Sequence, residues 1–300
     1  MRHWNQWLTY VVAETLIRGL RLLPRAVALR ITRSAARAAY YIDRYHRRIM
    51  MDNLCTAFPE WTNAQRDRVC RQSFLNLGQL LTEVCRLPRL NKDNIGKLVR
   101  YDQVYGRENF QKAYAEGRGV LFLTGHFSSW ELMPFAQALY GYPLKFVVRP
   151  LDNPYLDAKL TQYRRLSGNT PIGKRNALRA LLQSLRRGEA VGLLIDQAVQ
   201  AHEGVWTNFF GRPACTTHAP ALLALRTGAA VIPAHLVRNE DDTYRMVFYK
   251  ELELVRTGRR EQDILVNTQR FTQAIESMIC QYPDQWLWGH RRWKTQPPQE

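Results

Sequence analysis

The stretch that decides the fold covers residues 120–131 and reads VLFLTGHFSSWE. Its first five residues form an apolar run typical of a strand buried on both faces, and Gly125 ends that run directly before His126. Glu131 follows five positions later, where an amphipathic segment begins. Because ligands of α/β folds bind beyond the carboxyl ends of the strands, we expect this corner to place an imidazole at the rim of a sheet.

His126 and Glu131 have the side chains of a general base and of a carboxylate that orients it. The same spacing occurs by chance in many proteins, and a histidine beside a strand is often structural. The context favours chemistry here: Gly125 lets the backbone approach a ligand, and Ser128 and Ser129 offer oxygens that cap the following helix. The pattern therefore predicts His126 as the base and Glu131 as its partner.

Outside this corner, apolar runs alternate with amphipathic segments. This alternation predicts an α/β fold, with a mixed sheet that carries helices on both faces. In chain order, the runs and segments are 120–124, 130–140, 144–148, 154–166, 176–187, 191–195, 217–227 and 230–237.

The chain has no internal repeat and no low-complexity linker, so we expect one domain over residues 1–300. Within it, 25–117 is predicted to form a helical layer and 118–300 the α/β core. Residues 1–24 are rich in Trp, Leu and Arg and suit either a helix lying in a membrane interface or a core helix. Glu14 and the arginines after it interrupt the apolar stretch, so it suits the interface better than a span across the bilayer.

The charge of the chain is strongly positive. Among 300 residues there are 43 Lys and Arg against 26 Asp and Glu, a formal net charge of +17. This excess predicts attraction to an anionic membrane, to nucleic acid or to phosphorylated small molecules. An apolar content of 46% argues against disorder.

Several chemistries lack their sequence signatures. The five cysteines are scattered and the seven histidines dispersed, so neither a disulfide framework nor a metal site is expected. The sequence has no P-loop, no G-x-G-x-x-G after a strand, no H-E-x-x-H and no G-x-S-x-G elbow.

Other polar side chains follow the predicted strands. Arg149 follows the second strand and is a candidate for the same rim as His126. The alternative is a surface arginine in a turn. Asp196 follows the third strand and reaches the same rim as His126 if the strands are parallel. Residues 209–217 are interpreted as a loop that runs into a helix, with aromatic side chains that suit either an apolar slot or the core.

These motifs, taken in order, resemble the bacterial lipid A biosynthesis (lauroyl/myristoyl-type) acyltransferases. That family lies within the glycerolipid and lysophospholipid acyltransferase superfamily, which shares an H-x-x-x-x-D/E motif. The resemblance covers nearly the whole chain, although the H-x-x-x-x-E element alone is weak. Its elements are RIMMDNL at 48–54, HFSSWE at 126–131, RP at 149–150, DNP at 152–154, DQ at 196–197, FGRPA at 210–214 and YPDQW at 282–286.

The resemblance implies direct acyl transfer from a thioester to a lipid hydroxyl, without a covalent enzyme intermediate. His126 is then the general base, and Glu131 fixes its tautomer. Arg164 matches an arginine that contacts phosphates, Asp196 completes the site, and Phe210 bounds the acyl channel. The full set of substrate-binding residues that it implies is Arg149, Arg164, Asp196, Gln197, Phe210 and Arg212.

The resemblance also implies the partners. The donor is acyl carrier protein or a coenzyme A thioester, and the acceptor is a lipid A precursor or another anionic glycolipid. No cofactor, metal or nucleic acid is expected, and the enzyme is expected to act at the cytoplasmic face of the bacterial inner membrane, either peripherally or anchored by its N-terminus. The competing hypothesis is a basic, non-catalytic protein that binds membranes or nucleic acid.

Overall fold

A seven-stranded mixed sheet forms the centre of the protein, in a computed structural model that describes residues 2–174 and 177–295. The strand order is β1-β9-β8-β2-β5-β3-β4, and β6 and β7 form a separate two-stranded sheet. The strands are β1 Val99–Tyr101, β2 Val120–Thr124, β3 Leu144–Val148, β4 Thr170–Gly173, β5 Ala190–Leu194, β6 Gly204–Phe209, β7 Arg212–Thr217, β8 Ala230–Arg238 and β9 Tyr244–Phe248.

Helices cover the sheet and precede it, as the predicted α/β class requires. The predicted helix over 176–187 is confirmed as Ala177–Arg186, and Asn176 lies outside the described residues. The helices are α1 Arg2–Leu22, α2 Arg25–Ile42, α3 Arg44–Ala57, α4 Asn63–Arg86, α5 Glu108–Ala115, α6 Leu132–Leu139, α7 Pro154–Arg165, α8 Ala177–Arg186, α9 Ala219–Thr227 and α10 Arg260–Gln281.

Strand β2 lies in the middle of the sheet and is buried on both faces. It pairs in parallel with β5 on one side and β8 on the other. Because successive side chains alternate, Leu121 and Leu123 join one core cluster while Val120 and Phe122 join the other. The apolar run thus places the end of β2, and the corner that follows it, at the centre of the sheet rim.

Two predictions about organisation differ from the structure. Strand β1 pairs in parallel with β9, so the helical layer predicted for 25–117 also contains an edge strand of the sheet. Residues 209–217 do not form a loop: β6 and β7 make a tight hairpin. Phe210 and Gly211 turn the chain with φ of 50° and 75°, the positive values that a two-residue hairpin needs.

Helix α1 packs on α4 and α7 through one face. The buried carboxylate of Glu14 pairs with Arg18 (Nε–Oε1, 2.8 Å) and with Lys159 (Nζ–Oε1, 3.1 Å), and Asn153 Nδ2 donates to the carbonyl of Gln6 (2.8 Å). No helix within the described residues combines the length and the apolarity that crossing a bilayer takes. The segment therefore belongs to the folded domain, and it leaves an apolar row more than half exposed, namely Leu8, Val12 and Leu16.

Candidate active site

The register of β2 and β5 brings His126 and Asp196 together. Thr124 at the end of β2 pairs with Leu194 at the end of β5, so the residues two positions further on lie side by side. The prediction that Asp196 reaches the same rim as His126 rested on parallel strands, and the pairing of β2 with β5 is parallel.

Asp196 holds His126 through both of its oxygens. His126 Nδ1 lies 2.9 Å from Asp196 Oδ1, and the backbone N–H of His126 donates to Oδ2 at 2.7 Å. The indole N–H of Trp286 donates to the same Oδ2 at 2.8 Å. Gly125 permits this approach, because a Cβ at that position would lie 2.9 Å from Asp196 Oδ2.

The charges of the pair are set by burial and by mutual attraction. Burial alone would raise the pKa of Asp196, but the charge of His126 and the donated hydrogen bonds lower it to about 2. For His126, burial disfavours the protonated ring and is the largest single effect, but the Asp196 charge, the hydrogen bond to Asp196 and the Glu131 charge together outweigh it and raise the pKa of the imidazole. Asp196 is therefore a carboxylate that fixes Nδ1 as the protonated nitrogen and leaves Nε2 as the basic one.

Glu131 does not orient His126 as predicted. Its carboxylate accepts two hydrogen bonds from the guanidinium of Arg164 on α7, one from Nε to Oε2 at 2.9 Å and a second from Nη2 to Oε1. Both side chains are largely buried. A bidentate pair with a planar guanidinium satisfies Glu131, while its charge still contributes to the raised pKa of His126. The orienting carboxylate is therefore Asp196, and Glu131 positions Arg164.

Two tryptophans and Gln197 complete the surroundings of the imidazole. The ring of Trp130 packs edge-on against His126 with centroids 5.0 Å apart. Gln197 Nε2 lies 3.4 Å from both ring nitrogens of His126. Trp130 and Trp286 were not predicted as site residues. Trp286 belongs to the YPDQW motif, whose backbone pairs with Phe127, so that motif was the available signal.

An apolar cavity of about 190 Å³ opens beside His126. Glu131, Arg149 and Arg164 line it together with His126, whereas the rest of its wall is mainly apolar and comes from α6 and from several strands of the sheet. Apolar side chains of that wall include Phe122, Met133, Leu144, Phe146, Leu236 and Phe248. The arrangement suits an alkyl chain whose reactive end lies at the imidazole.

The structure does not bring all of the predicted residues together. Phe210 lies at the turn of the β6–β7 hairpin, with its ring against Phe58 and Phe209, and it does not line the cavity. Arg212 donates to Thr56 Oγ1 at 3.2 Å and lines a separate groove. Within residues 2–174 and 177–295, His, Cys, Asp and Glu side chains form no group suited to hold a metal ion.

Fold and site together define an α/β protein with a carboxylate-bound imidazole at the mouth of an apolar cavity. The family model of the bacterial lipid A biosynthesis acyltransferases matches residues 1–295. The chain therefore belongs to this family and is an O-acyltransferase, and acyl transfer to lipid A is the activity that the family supports.

Curated relatives match over most of their length. The lipid A biosynthesis palmitoleoyltransferase of Escherichia coli (strain K12) is 29% identical over 297 residues, which cover 98% of this chain and 94% of the relative. The lauroyltransferase of the same strain is 26% identical, covering 99% and 93%. A phosphatidylinositol mannoside acyltransferase of Mycolicibacterium smegmatis is 24% identical, covering 76% and 73%.

Proposed function

We propose that the protein moves a fatty acyl chain from a thioester of acyl carrier protein or coenzyme A to a hydroxyl of a lipid A precursor or related glycolipid. The observation that carries the proposal is the His126–Asp196 pair at the mouth of the apolar cavity. The apolar wall of the cavity suits the acyl chain, and the pair supplies a base for the hydroxyl that attacks the thioester carbonyl.

In the proposed step, Nε2 of His126 removes the proton of the acceptor hydroxyl as its oxygen attacks the thioester carbonyl. The new C–O ester bond forms, the C–S bond breaks, and the thiolate leaves with the proton returned by the imidazolium. Asp196 stabilises the imidazolium between these two transfers, because its low pKa keeps it charged. Atoms and charge balance without any further reactant.

Direct attack by the acceptor is favoured over an acyl-enzyme. Among the described residues that line the cavity there is neither a serine nor a cysteine, and the hydroxyl of Thr124, which does line it, lies 3.4 Å from the carbonyl oxygen of Gly125. Ser129 lies nearby in sequence, but it is buried and its hydroxyl is 3.0 Å from that of Tyr244. A nucleophilic side chain has to reach both the base and the acyl carbon.

Glu131 and Arg164 serve the donor in this proposal. Glu131 holds the guanidinium of Arg164 at the cavity wall, next to where the thioester carbonyl has to lie. Arg149 is exposed at the same cavity, where a phosphate of the donor's prosthetic arm meets a cation. A fixed cation near the carbonyl stabilises the negative charge that develops on its oxygen.

The test is acyl transfer by purified protein with an acyl thioester and a lipid A precursor. We expect His126→Ala to lower kcat/KM by about 10²–10⁴-fold, the usual contribution of a general base. His202→Ala, which removes an exposed histidine, is the matched control and keeps wild-type turnover. Equal turnover by the His126→Ala protein contradicts the assignment of His126 as the general base.

The proposed location is the cytoplasmic face of the inner membrane, with peripheral attachment. It is supported by the exposed apolar row of α1, since Leu8, Val12 and Leu16 follow one another at helical spacing. The first fifty residues also contain ten arginines, which favour an anionic lipid surface. A helix with these properties lies in the interface rather than across the bilayer.

A further inference from the structure

A second, open groove lies beside the active site and takes no part in the mechanism above. It has two lobes of about 570 and 460 Å³. Gln197 lines the first lobe and contacts His126, so the groove and the acyl cavity meet at these two side chains. We call it the basic groove. The wall shared by its two lobes consists of Tyr45, Ile49, Arg291 and Lys294.

The basic groove carries an excess of positive charge. Its carboxylates are Asp43, which already binds His46 Nδ1 at 2.6 Å, and Asp52. Within the part of the chain that the structure describes, Arg48, Arg291 and Lys294 form no ion pair. The four Lys and Arg side chains that line the groove are Arg48, Arg212, Arg291 and Lys294.

Arg291 has an aromatic contact in the groove. Its guanidinium lies over the ring of Tyr45, with the central carbon 5.2 Å from the ring centroid. A guanidinium placed there can bind a phosphate through two parallel hydrogen bonds. Arg291 is also exposed, so an anion in the groove reaches it from solvent.

One edge of the basic groove is apolar and continues onto the helical surface. Tyr45 and Leu77 line the groove and are partly exposed. Beyond them, Tyr41, Ile42 and Leu81 are exposed as well. A groove with cations along one wall and an apolar edge fits an amphiphile that carries a phosphate, whereas a purely polar anion leaves the apolar edge unused.

We propose that the basic groove binds the acceptor lipid, with a phosphate of its headgroup on Arg291 and Lys294. The hydroxyl to be acylated then reaches Nε2 of His126 past Gln197, while the acyl cavity holds the donor chain. This inference rests on the proposed function and adds the acceptor site to it. The ligand class is a phosphorylated glycolipid, selected by its charge as well as by its sugar hydroxyl.

The experiment compares two acceptors and three proteins. The acceptors are a phosphorylated lipid A precursor in mixed detergent micelles and the same lipid after phosphatase treatment. The proteins are the wild type, Arg291→Ala and, as a matched control, Lys92→Ala, which removes an exposed cation outside the groove. We expect Arg291→Ala to raise KM for the phosphorylated acceptor about tenfold or more, the effect of losing one charge-assisted contact.

Further readouts separate a phosphate contact from a structural role. KM for the acyl donor stays at the wild-type value, Arg291→Lys recovers part of the acceptor affinity, and phosphatase treatment of the lipid abolishes the difference between wild type and Arg291→Ala. An unchanged acceptor KM overturns the inference. A rise confined to the donor KM also overturns it, because the groove then binds the carrier.

Direct binding distinguishes this inference from the proposed function. The phosphorylated lipid is titrated into the protein without donor, so the measurement needs no turnover. We expect the wild type to bind the phosphorylated lipid more tightly than the dephosphorylated one, and Arg291→Ala to bind both equally. This result supports a phosphate site in the groove even in a protein that transfers no acyl chain. Equal binding of both lipids to wild type and variant overturns it, whatever the turnover.

Discussion

His126 is held by Asp196, which lies 70 residues away in sequence, and not by Glu131, which lies five residues away in the motif. The two candidate carboxylates have separate tasks: one fixes the imidazole and the other fixes a guanidinium. Asp196 is buried, and it accepts hydrogen bonds from a backbone amide and an indole as well as from the imidazole. The pH dependence of the enzyme therefore depends mainly on Asp196.

Replacing Asp196 by Asn is expected to lower activity and to move the acidic limb of the pH profile. The carboxylate raises the pKa of His126 above its ordinary 6.5, so wild-type kcat/KM declines below a pH higher than 6.5. Without that charge, burial remains and disfavours the protonated ring, so the limb moves to lower pH. The plateau of kcat/KM falls about a hundredfold or more, because the tautomer is no longer fixed.

The pH profiles of wild type, Asp196→Asn and Glu131→Gln test whether Asp196, rather than Glu131, orients His126. Glu131 also raises the pKa of His126, but less than Asp196 does. We therefore expect a smaller shift of the acidic limb in Glu131→Gln. A larger shift in that variant contradicts the assignment of Asp196 as the orienting group.

Trp286 is expected to contribute through its N–H group. Trp286→Phe keeps an aromatic ring but removes the 2.8 Å hydrogen bond to Asp196. A hydrogen bond to a charged group is worth about 1.5–3 kcal/mol, so we expect kcat/KM to fall roughly tenfold or more. Trp288→Phe is the control, because its N–H donates to the carbonyl of Pro283 instead. Equal loss in both variants indicates a packing effect only.

Glu131 and Arg164 are expected to behave as one unit. Either single substitution, Glu131→Gln or Arg164→Gln, leaves a largely buried partner unpaired and lowers the free energy of unfolding by about 3 kcal/mol. The double variant is expected to lose much less than the sum of the two singles. Urea unfolding of the four proteins measures the coupling. If the losses of the two single variants add up to the loss of the double variant, the interaction between Glu131 and Arg164 contributes little to stability.

The sequence predicts the parts of the fold that rest on local patterns. Apolar runs identified β2, β3, β5 and β8, because a strand buried on both faces is apolar throughout. The apolar runs did not include β1 and β4, which have only three and four residues, or β9 and the β6–β7 hairpin. The turn of that hairpin joins Gly211 to Phe210, a residue that rarely adopts positive φ, so it lacks the Asn-Gly or Asp-Gly pair that marks a two-residue hairpin turn.

The site was predicted only as a set of residues. His126, Asp196 and Arg164 were all identified, but their pairing depends on the register of β2 against β5 and on the position of α7. The contribution of Trp286 depends on where the C-terminal segment crosses the rim. Contacts of this kind join distant parts of the chain, so local patterns of apolar and polar residues do not determine them.

The exposed row of α1 is expected to attach the protein to lipid. Leu8→Ser combined with Leu16→Ser removes two apolar side chains that are more than half exposed, so folding is little affected. We expect weaker co-sedimentation with vesicles that contain anionic lipid. Leu265→Ser removes an exposed leucine of α10 and is the control. Wild-type vesicle binding by the double variant contradicts the interfacial role of α1.

Gly192 is expected to set the length of the acyl chain. It lines the cavity in β5, and a Cβ at this position meets only Leu144 and Phe146, at ordinary contact distances of 3.7 and 3.9 Å. Gly192→Ala therefore folds and takes space from the substrate. Each displaced CH₂ group costs about 0.8 kcal/mol, roughly fourfold in kcat/KM. We expect the preference to move toward shorter chains when a homologous series of acyl donors is assayed.

Gly173→Ala is the matched control for that series, since a Cβ there has no neighbour within 4 Å and Gly173 does not line the cavity. An unchanged order of donor preference in Gly192→Ala means that the acyl chain binds elsewhere. A uniform loss for all chain lengths points to a disturbed sheet instead, because filling the cavity affects long chains more than short ones.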